Sequence, residues 1–520
     1  MLEPPRLSPM AAPGSALERL RVHLHQTRLL SSISSALYYD QNTVMPAEGA
    51  AWRGEQLALL AAQLHERQSS DAYAELVEAA EASLPPDAPA AQQRRMQLLR
   101  LDLQRQRCLD PSLVAALALA QSKGNALWQQ ARRTNDFPAF APALEQLIRL
   151  RREQAGQLAA AEPVARSPWE VLAQPYEPEV SCARLEELFA PLRQELPELL
   201  ERVAAASPPA GASPAGDEAD LPEALQEQLC ANLLEGWGYD PRRCQRSRSA
   251  HPFSCTVGPA DFRITTRVVP GQPFSAFLAT AHEWGHSLYE QGLPRSDDTA
   301  FPWPLGEATS MGVHESQSLF WECRVARGRA FAERWYPRFR AGLGRDRWGG
   351  VQGFWRALNP LRPGLIRVEA DELSYCLHIV LRYELELALI EGDLPVGELP
   401  ERWNRRCAEL LGLRPASDAE GCLQDIHWAE GLIGYFPSYA LGHLISAQLA
   451  ETFEAEQDPI EAVVAAEQEE RLRHWFAGRV WPLGRRVCGD ELVEQVSGRP
   501  LTARPFLDYL EAKVERLCAG

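Results

Sequence analysis

The stretch SAFLATAHEWGHSLYEQG, residues 275–292, places apolar side chains at helical spacing and ends on Gly292, a helix stop signal. On a helix, positions four apart differ by about 40° around the axis, so His282 and His286 project from one face. Glu283 stands at the flank of that face. Two converging imidazoles suit a zinc-type ion, and the flanking carboxylate suits a general base that takes a proton from water attacking a carbonyl. The pattern therefore points to metal-dependent peptide-bond hydrolysis. Its plain alternative is a chance HExxH on a surface helix, and the neighbouring sequence argues against that.

A catalytic ion of this kind needs a third protein ligand and one open position. Glu315, in the helical pattern around VHESQS, is the candidate. His314 competes with it, but neighbours on a helix point about 100° apart and do not both reach one ion. His314 is thus expected to support the centre from outside.

Upstream, FSCTVGPADFRITTRVV (253–269) is rich in β-branched and aromatic residues and broken by Gly258 and Pro259, which predicts a short hairpin beside the metal helix. Everything else reads as helix. Long amphipathic runs fill Ala16 to about Val203 and return at LPEALQEQLCANLLEGWG, LSYCLHIVLRYELELALIEGD and SYALGHLISAQLAETFEAEQ. The expected fold class is mainly α, a large helical metallopeptidase fold with a small β-hairpin next to the metal site. Residues 1–203 form an N-terminal helical part and 221–520 a catalytic helical part, in one continuous domain. Between them the Ala/Pro/Gly/Ser-rich stretch 204–220 predicts an exposed loop or hinge.

Composition sets the outer limits. With 520 residues, 45% hydrophobic and 24% charged, the chain buries a sizeable core. A net charge of -17 disfavours nucleic acid and anionic membranes as partners. No signal-like N-terminus and no long apolar span are evident, so the expected location is the cytoplasm. Eleven cysteines without a CxxC pair suggest reduced, mostly buried thiols.

Six motifs recur in order along the chain: His251-Pro252-Phe253, DFRIT (261–265), HEWGH (282–286), HESQ (314–317), IRVEAD (366–371) and GCLQDIHW (421–428). With YYDQNTVMPAEGAAWRGEQLALL (38–60), they make the chain resemble the carboxypeptidase Taq family of metallocarboxypeptidases over most of its length. Cys323, where the family pattern leads one to expect asparagine, and the stretch near residue 210 are local departures. The resemblance implies a deep groove between helical halves, a homodimer, zinc or cobalt as the ion with one per subunit, and release of single C-terminal amino acids from peptides.

An enzyme acting at the C-terminus must hold a free carboxylate, and a guanidinium fork does this well. Arg367 leads the candidates, with Arg263 and Arg382 as alternatives. His427 and Tyr435 fit the need for a donor to the developing oxyanion. Asp425 is a further candidate, for orienting a ligand histidine. His251 is expected to support the groove, with substrate contact as its second reading. The rival readings are an endo-acting oligopeptidase on the same scaffold and a catalytically silent helical interaction protein.

Overall fold

The computed structural model describes residues 14–206, 221–295 and 301–519. Helices begin where the local chemistry satisfies their free N–H groups. The Ser15 hydroxyl accepts the Glu18 N–H at 3.2 Å to open Ala16–Thr43, and Ser70 does the same for Asp71–Ala82. Pro111–Thr134 stops at Asn135, which adopts the left-handed conformation. Ala16–Thr43, Asp71–Ala82 and Ala90–Arg107 share a small core of Leu20, Leu24, Tyr73, Val77, Met96 and Leu99, closed by Trp303 from the other half of the chain.

The main core runs through Trp128, Phe189, Trp237, Trp321, Leu381 and Leu517. Helices Cys182–Ala206 and Glu223–Gly236 both contribute to it, so residues before and after the expected hinge pack together. Ala204–Ala206, expected in the loop, instead complete the first of these helices, since alanine is the best helix former and proline enters only later. The rest of the expected loop, 207–220, lies outside the described residues. Among the described residues no helix is long and apolar enough to cross a membrane.

Three strands make one sheet in the order β1-β3-β2: β1 (Cys244–Arg248), β2 (Ser254–Gly258) and β3 (Asp261–Thr266). β2 and β3 are the antiparallel hairpin that the sequence predicts. β1 is additional and pairs in parallel with β3, Cys244 opposite Phe262. Its sequence, CQRSR, has no apolar alternation to announce it. Instead, Arg246 and Arg248 bond to Glu227 of the preceding helix.

The sheet steadies the helix Ser275–Gly292, because the Thr266 hydroxyl donates to the Ala276 carbonyl at 2.9 Å. Across from it lies Met311–Leu319, which continues as a π-helical segment, Phe320–Ala326. The two helices touch at Gly285, where a Cβ would come within 2.6 Å of the Gln317 carbonyl oxygen. The glycine of HEWGH therefore sets the approach that brings the histidines to Glu315. On the other side, Pro437–Glu456 approaches through Gly442, where a Cβ would meet Glu315 Cγ at 2.7 Å. Glu315 is held between these two close contacts.

Candidate metal centre

His282, His286 and Glu315 each offer a ligand atom within 4.8 Å of the others. Glu315 Oε2 lies 3.5 Å from His286 Nε2 and 4.0 Å from His282 Nε2. Each imidazole is fixed through its other nitrogen. His282 Nδ1 donates to Glu322 Oε2 at 3.0 Å, and Glu322 in turn pairs with Arg327 at 2.8 Å. His286 Nδ1 meets the His314 carbonyl at 3.1 Å and His314 Nδ1 at 2.7 Å. The His314 ring then donates from Nε2 to Glu290 Oε1 at 3.0 Å, and Glu290 is anchored by Thr256 at 2.8 Å and by Arg295. Both Nε2 atoms are thus left free toward Glu315, the tautomer a metal-bound histidine needs.

The orienting role expected of Asp425 falls to Glu322 instead. Asp425 is engaged with two arginines elsewhere, whereas Glu322, seven residues after Glu315 in the π-helical segment, bonds to His282. The signal the sequence offers is a second acid seven residues after Glu315. His314 lies against His286 through its carbonyl and its Nδ1.

The electrostatics ask for a cation. Burial, reinforced by Glu315 and Glu322 and opposed by His282, pushes Glu283 up to about 7. Burial works against a charge on His282, yet Glu322, Glu315 and Glu283 carry it up to about 10. Burial pushes His314 down to about 4, so its ring is neutral and able to accept from His286. Glu283 is buried and makes no hydrogen bond among the described residues. Two imidazole nitrogens and a carboxylate oxygen, oriented from behind and surrounded by surplus negative charge, fit a divalent ion of the zinc type.

A second cluster gathers around Asp425. Arg367 donates to Asp425 Oδ1 through Nε at 3.0 Å and Nη2 at 2.8 Å, and Arg382 Nε donates to Oδ2 at 2.6 Å. All three are buried or nearly so, and together they carry a net charge of about +1. Despite burial, Arg382 and Arg367 hold Asp425 far below the ordinary carboxylate range. Arg367 Nη1 also donates to the Tyr375 hydroxyl at 3.1 Å, and its guanidinium lies 5.2 Å from the centre of the Tyr439 ring. Tyr375 and Tyr439 feel the charges of both Arg367 and Glu315, so these two rings lie within reach of both clusters, and Tyr435 feels Glu315 and packs 5.2 Å from Tyr439.

His427 and Tyr435 belong to this wall. Their ring centres are 5.8 Å apart, and His427 Nε2 is 3.4 Å from the Tyr439 hydroxyl. His427 Nδ1 is buried without a partner, and burial pushes the ring down to about 4, so it is neutral. Burial also raises Tyr435, which keeps its hydroxyl proton. The loop between them is fastened by Glu386, whose carboxylate accepts N–H groups from Trp169, Trp428 and Gly434 at 2.9, 2.8 and 2.6 Å.

Arg382 reaches this cluster, but it is fully buried behind Asp425 rather than facing outward. Arg263 and His251 do not join it. Arg263 grips Asp261 through two hydrogen bonds of 2.8 and 2.6 Å and stacks over Tyr39, while His251 is exposed and its carbonyl accepts from Ser249 at 2.5 Å. Tyr375, Tyr439 and Glu386 are not legible in the sequence, because aromatic and acidic residues on a buried helix look like core. A cavity of about 600 Å³ lies between the N-terminal helices and the body, lined in part by Arg28, Asp102, Tyr176, Met311 and Arg485. It excludes the metal-centre residues and meets the tyrosine wall through Tyr176, whose ring packs 5.1 Å from Tyr435.

A largely helical body around this histidine and glutamate arrangement defines a metal-dependent peptidase. The family model described as carboxypeptidase Taq (M32) metallopeptidase matches residues 19–514, and the chain belongs to that family. It is 37% identical to thermostable carboxypeptidase 1 of Thermus thermophilus, over 97% of this chain and 99% of that protein. The crystal structure of the M32 carboxypeptidase from Deinococcus radiodurans superposes with a TM-score of 0.90 at 33% identity, covering 97% of this chain and all of that one. Metallocarboxypeptidase 1 of Trypanosoma cruzi gives a TM-score of 0.91 at 31% identity, covering 96% and 99%. The expected mainly helical fold with its small sheet is therefore correct, and the activity class is that of a metallocarboxypeptidase.

Proposed function

We propose that the protein removes single amino acids from the C-termini of peptides, with broad tolerance for the residue released. The observation that carries this reading is the facing of two clusters: the His282–His286–Glu315 centre and, across the tyrosine wall, the net-positive group of Arg367, Asp425 and Arg382. A cation site beside a carboxylate-binding pocket is what terminal cleavage needs.

His282, His286 and Glu315 would hold one zinc ion, or cobalt in its place. When bound, such an ion supplies Lewis acidity toward the scissile carbonyl and toward water. Glu283 takes the proton of the attacking water and hands it to the leaving amine. Arg367 binds the substrate carboxylate with the donor positions that Asp425 leaves free, and Arg382 supports it by sharing that aspartate. Tyr435 and His427 donate to the developing oxyanion as neutral O–H and N–H groups. Arg263 and His251 are left as structural supports of the sheet and of the loop before β2.

Each subunit would act within a homodimer in the cytoplasm. All eleven cysteines are free, as in a reducing compartment, and Val44, Trp52 and Leu59 expose apolar surface that a second copy can cover. The deciding experiment compares an unblocked peptide with its amidated twin, using metal-loaded enzyme, EDTA-treated enzyme and Glu283→Gln. Release should require the metal, Glu283 and the free carboxylate. Equal internal cleavage of the amidated peptide would establish an endo-acting oligopeptidase instead.

A further inference from the structure

A second group of donors lies behind the catalytic centre. Cys323 Sγ, a Glu372 carboxylate oxygen and a His443 ring nitrogen all fall within 4.8 Å of one another. Cys323 and His443 are buried, and the Glu372 side chain is only 11% exposed. We propose that these three residues form a second site for a divalent transition metal, separate from the one on His282, His286 and Glu315.

The hydrogen bonding singles out this cluster. Lys513 Nζ donates to Glu372 Oε2 at 2.6 Å and to the Tyr509 hydroxyl at 2.8 Å, and Tyr509 also donates to the Cys323 carbonyl at 3.1 Å. These contacts account for one oxygen of Glu372. The other, Oε1, is buried with no partner. Among the described residues, neither ring nitrogen of His443 nor the Cys323 sulfur makes a hydrogen bond, although the His443 ring is held between Tyr375 and Phe506 with centroid distances of 5.5 and 5.2 Å. A buried ion pair between Lys513 and Glu372 explains the lysine. It leaves a buried carboxylate oxygen without a partner, which interiors avoid, beside an imidazole and a thiol within ligand distance.

The donor chemistry narrows the ligand. Sulfur, imidazole nitrogen and carboxylate together select zinc or cobalt(II) over magnesium or calcium. Binding converts the Cys323 thiol to a metal-bound thiolate and releases its proton to the buffer, with no change of oxidation state. The site would tie together the π-helical segment that carries Glu322, the loop between Arg367 and helix Tyr375–Glu391, and helix Pro437–Glu456 against the last helix, Arg504–Cys518. Cys323 is also the position that departs from the family pattern.

The test loads the metal-free full-length chain with cobalt(II) and reads both stoichiometry and the near-ultraviolet thiolate-to-cobalt charge-transfer band. The catalytic centre has no sulfur, so a band that disappears in Cys323→Ser reports on the second site. Two cobalt ions per chain are expected, and Cys323→Ser or His443→Gln should remove the band and one equivalent while the circular dichroism stays that of wild type. His286→Ala should keep the band and lose the other equivalent. His443→Gln carries the test if Cys323→Ser does not fold. One ion per chain without a thiolate band, or a band that survives Cys323→Ser, overturns the proposal. Neither readout depends on peptide cleavage, so it stands or falls independently of the carboxypeptidase reading.

Discussion

Around His282 and His286 gather three carboxylates, Glu283, Glu315 and Glu322, of which Glu322 is paired with Arg327, whereas beside His427 the guanidiniums of Arg367 and Arg382 share the carboxylate of Asp425. Both clusters are buried, and buried charge is costly unless balanced. Each is therefore incomplete, in opposite senses. One lacks a cation and the other an anion, and a peptide with a free C-terminus beside a bound metal ion completes both at once.

The metal side should fail most severely. Glu283→Gln should lower kcat by about 10²–10⁴-fold, the usual contribution of a general base, while metal content stays at the wild-type level. An equal loss of bound metal would show that Glu283 is a ligand instead. The same residue sets the acid limb of the pH profile. Its neutral form accepts no proton, so kcat should fall about tenfold per unit as pH drops below its pKa. That pKa is about 7 in the metal-free chain, and a bound cation draws it lower, so the limb should lie below about 7.

On the arginine side, Arg367→Met should cost about 2–5 kcal/mol in kcat/KM toward free-acid peptides, as for a truncated buried charge pair, and much less toward amidated ones. If both peptides lose equally, the cluster is structural and the comparison between the two regions breaks. A smaller effect is expected behind the metal. Glu322→Gln should weaken metal affinity by about 10–100-fold, the range for residues that orient a ligand histidine. Equilibrium competition with a chelator measures it, and activity at saturating metal should recover most of its wild-type value.

The two regions also differ in how openly the sequence announces them. HEWGH is legible because a helix turns positions four apart into neighbours, and Glu315 because it sits on the next amphipathic run. Arg367 can be nominated from the chemistry of its substrate. Its link to Asp425, 58 residues on, cannot, since no local period connects a short loop to a distant one. With that link hidden, Asp425 is free on paper to take the role that Glu322 fills. β1 escapes a sequence reading for a related reason. A polar edge strand is specified by its partner and by Glu227 rather than by its own pattern.

The π-helical segment Phe320–Ala326 adds a constraint of another kind. Within it, consecutive residues serve different places: Glu322 turns to His282, while Cys323 turns to Glu372 and His443. Such an expanded turn arises from one residue more than an α-helix would use. Removing one residue there would rewind the turn to an ordinary α-helix and change the faces on which Glu322 and Cys323 stand. Point substitutions in this segment can be conservative or not, but its length is fixed, and insertions or deletions within it should be purged even when every functional side chain survives.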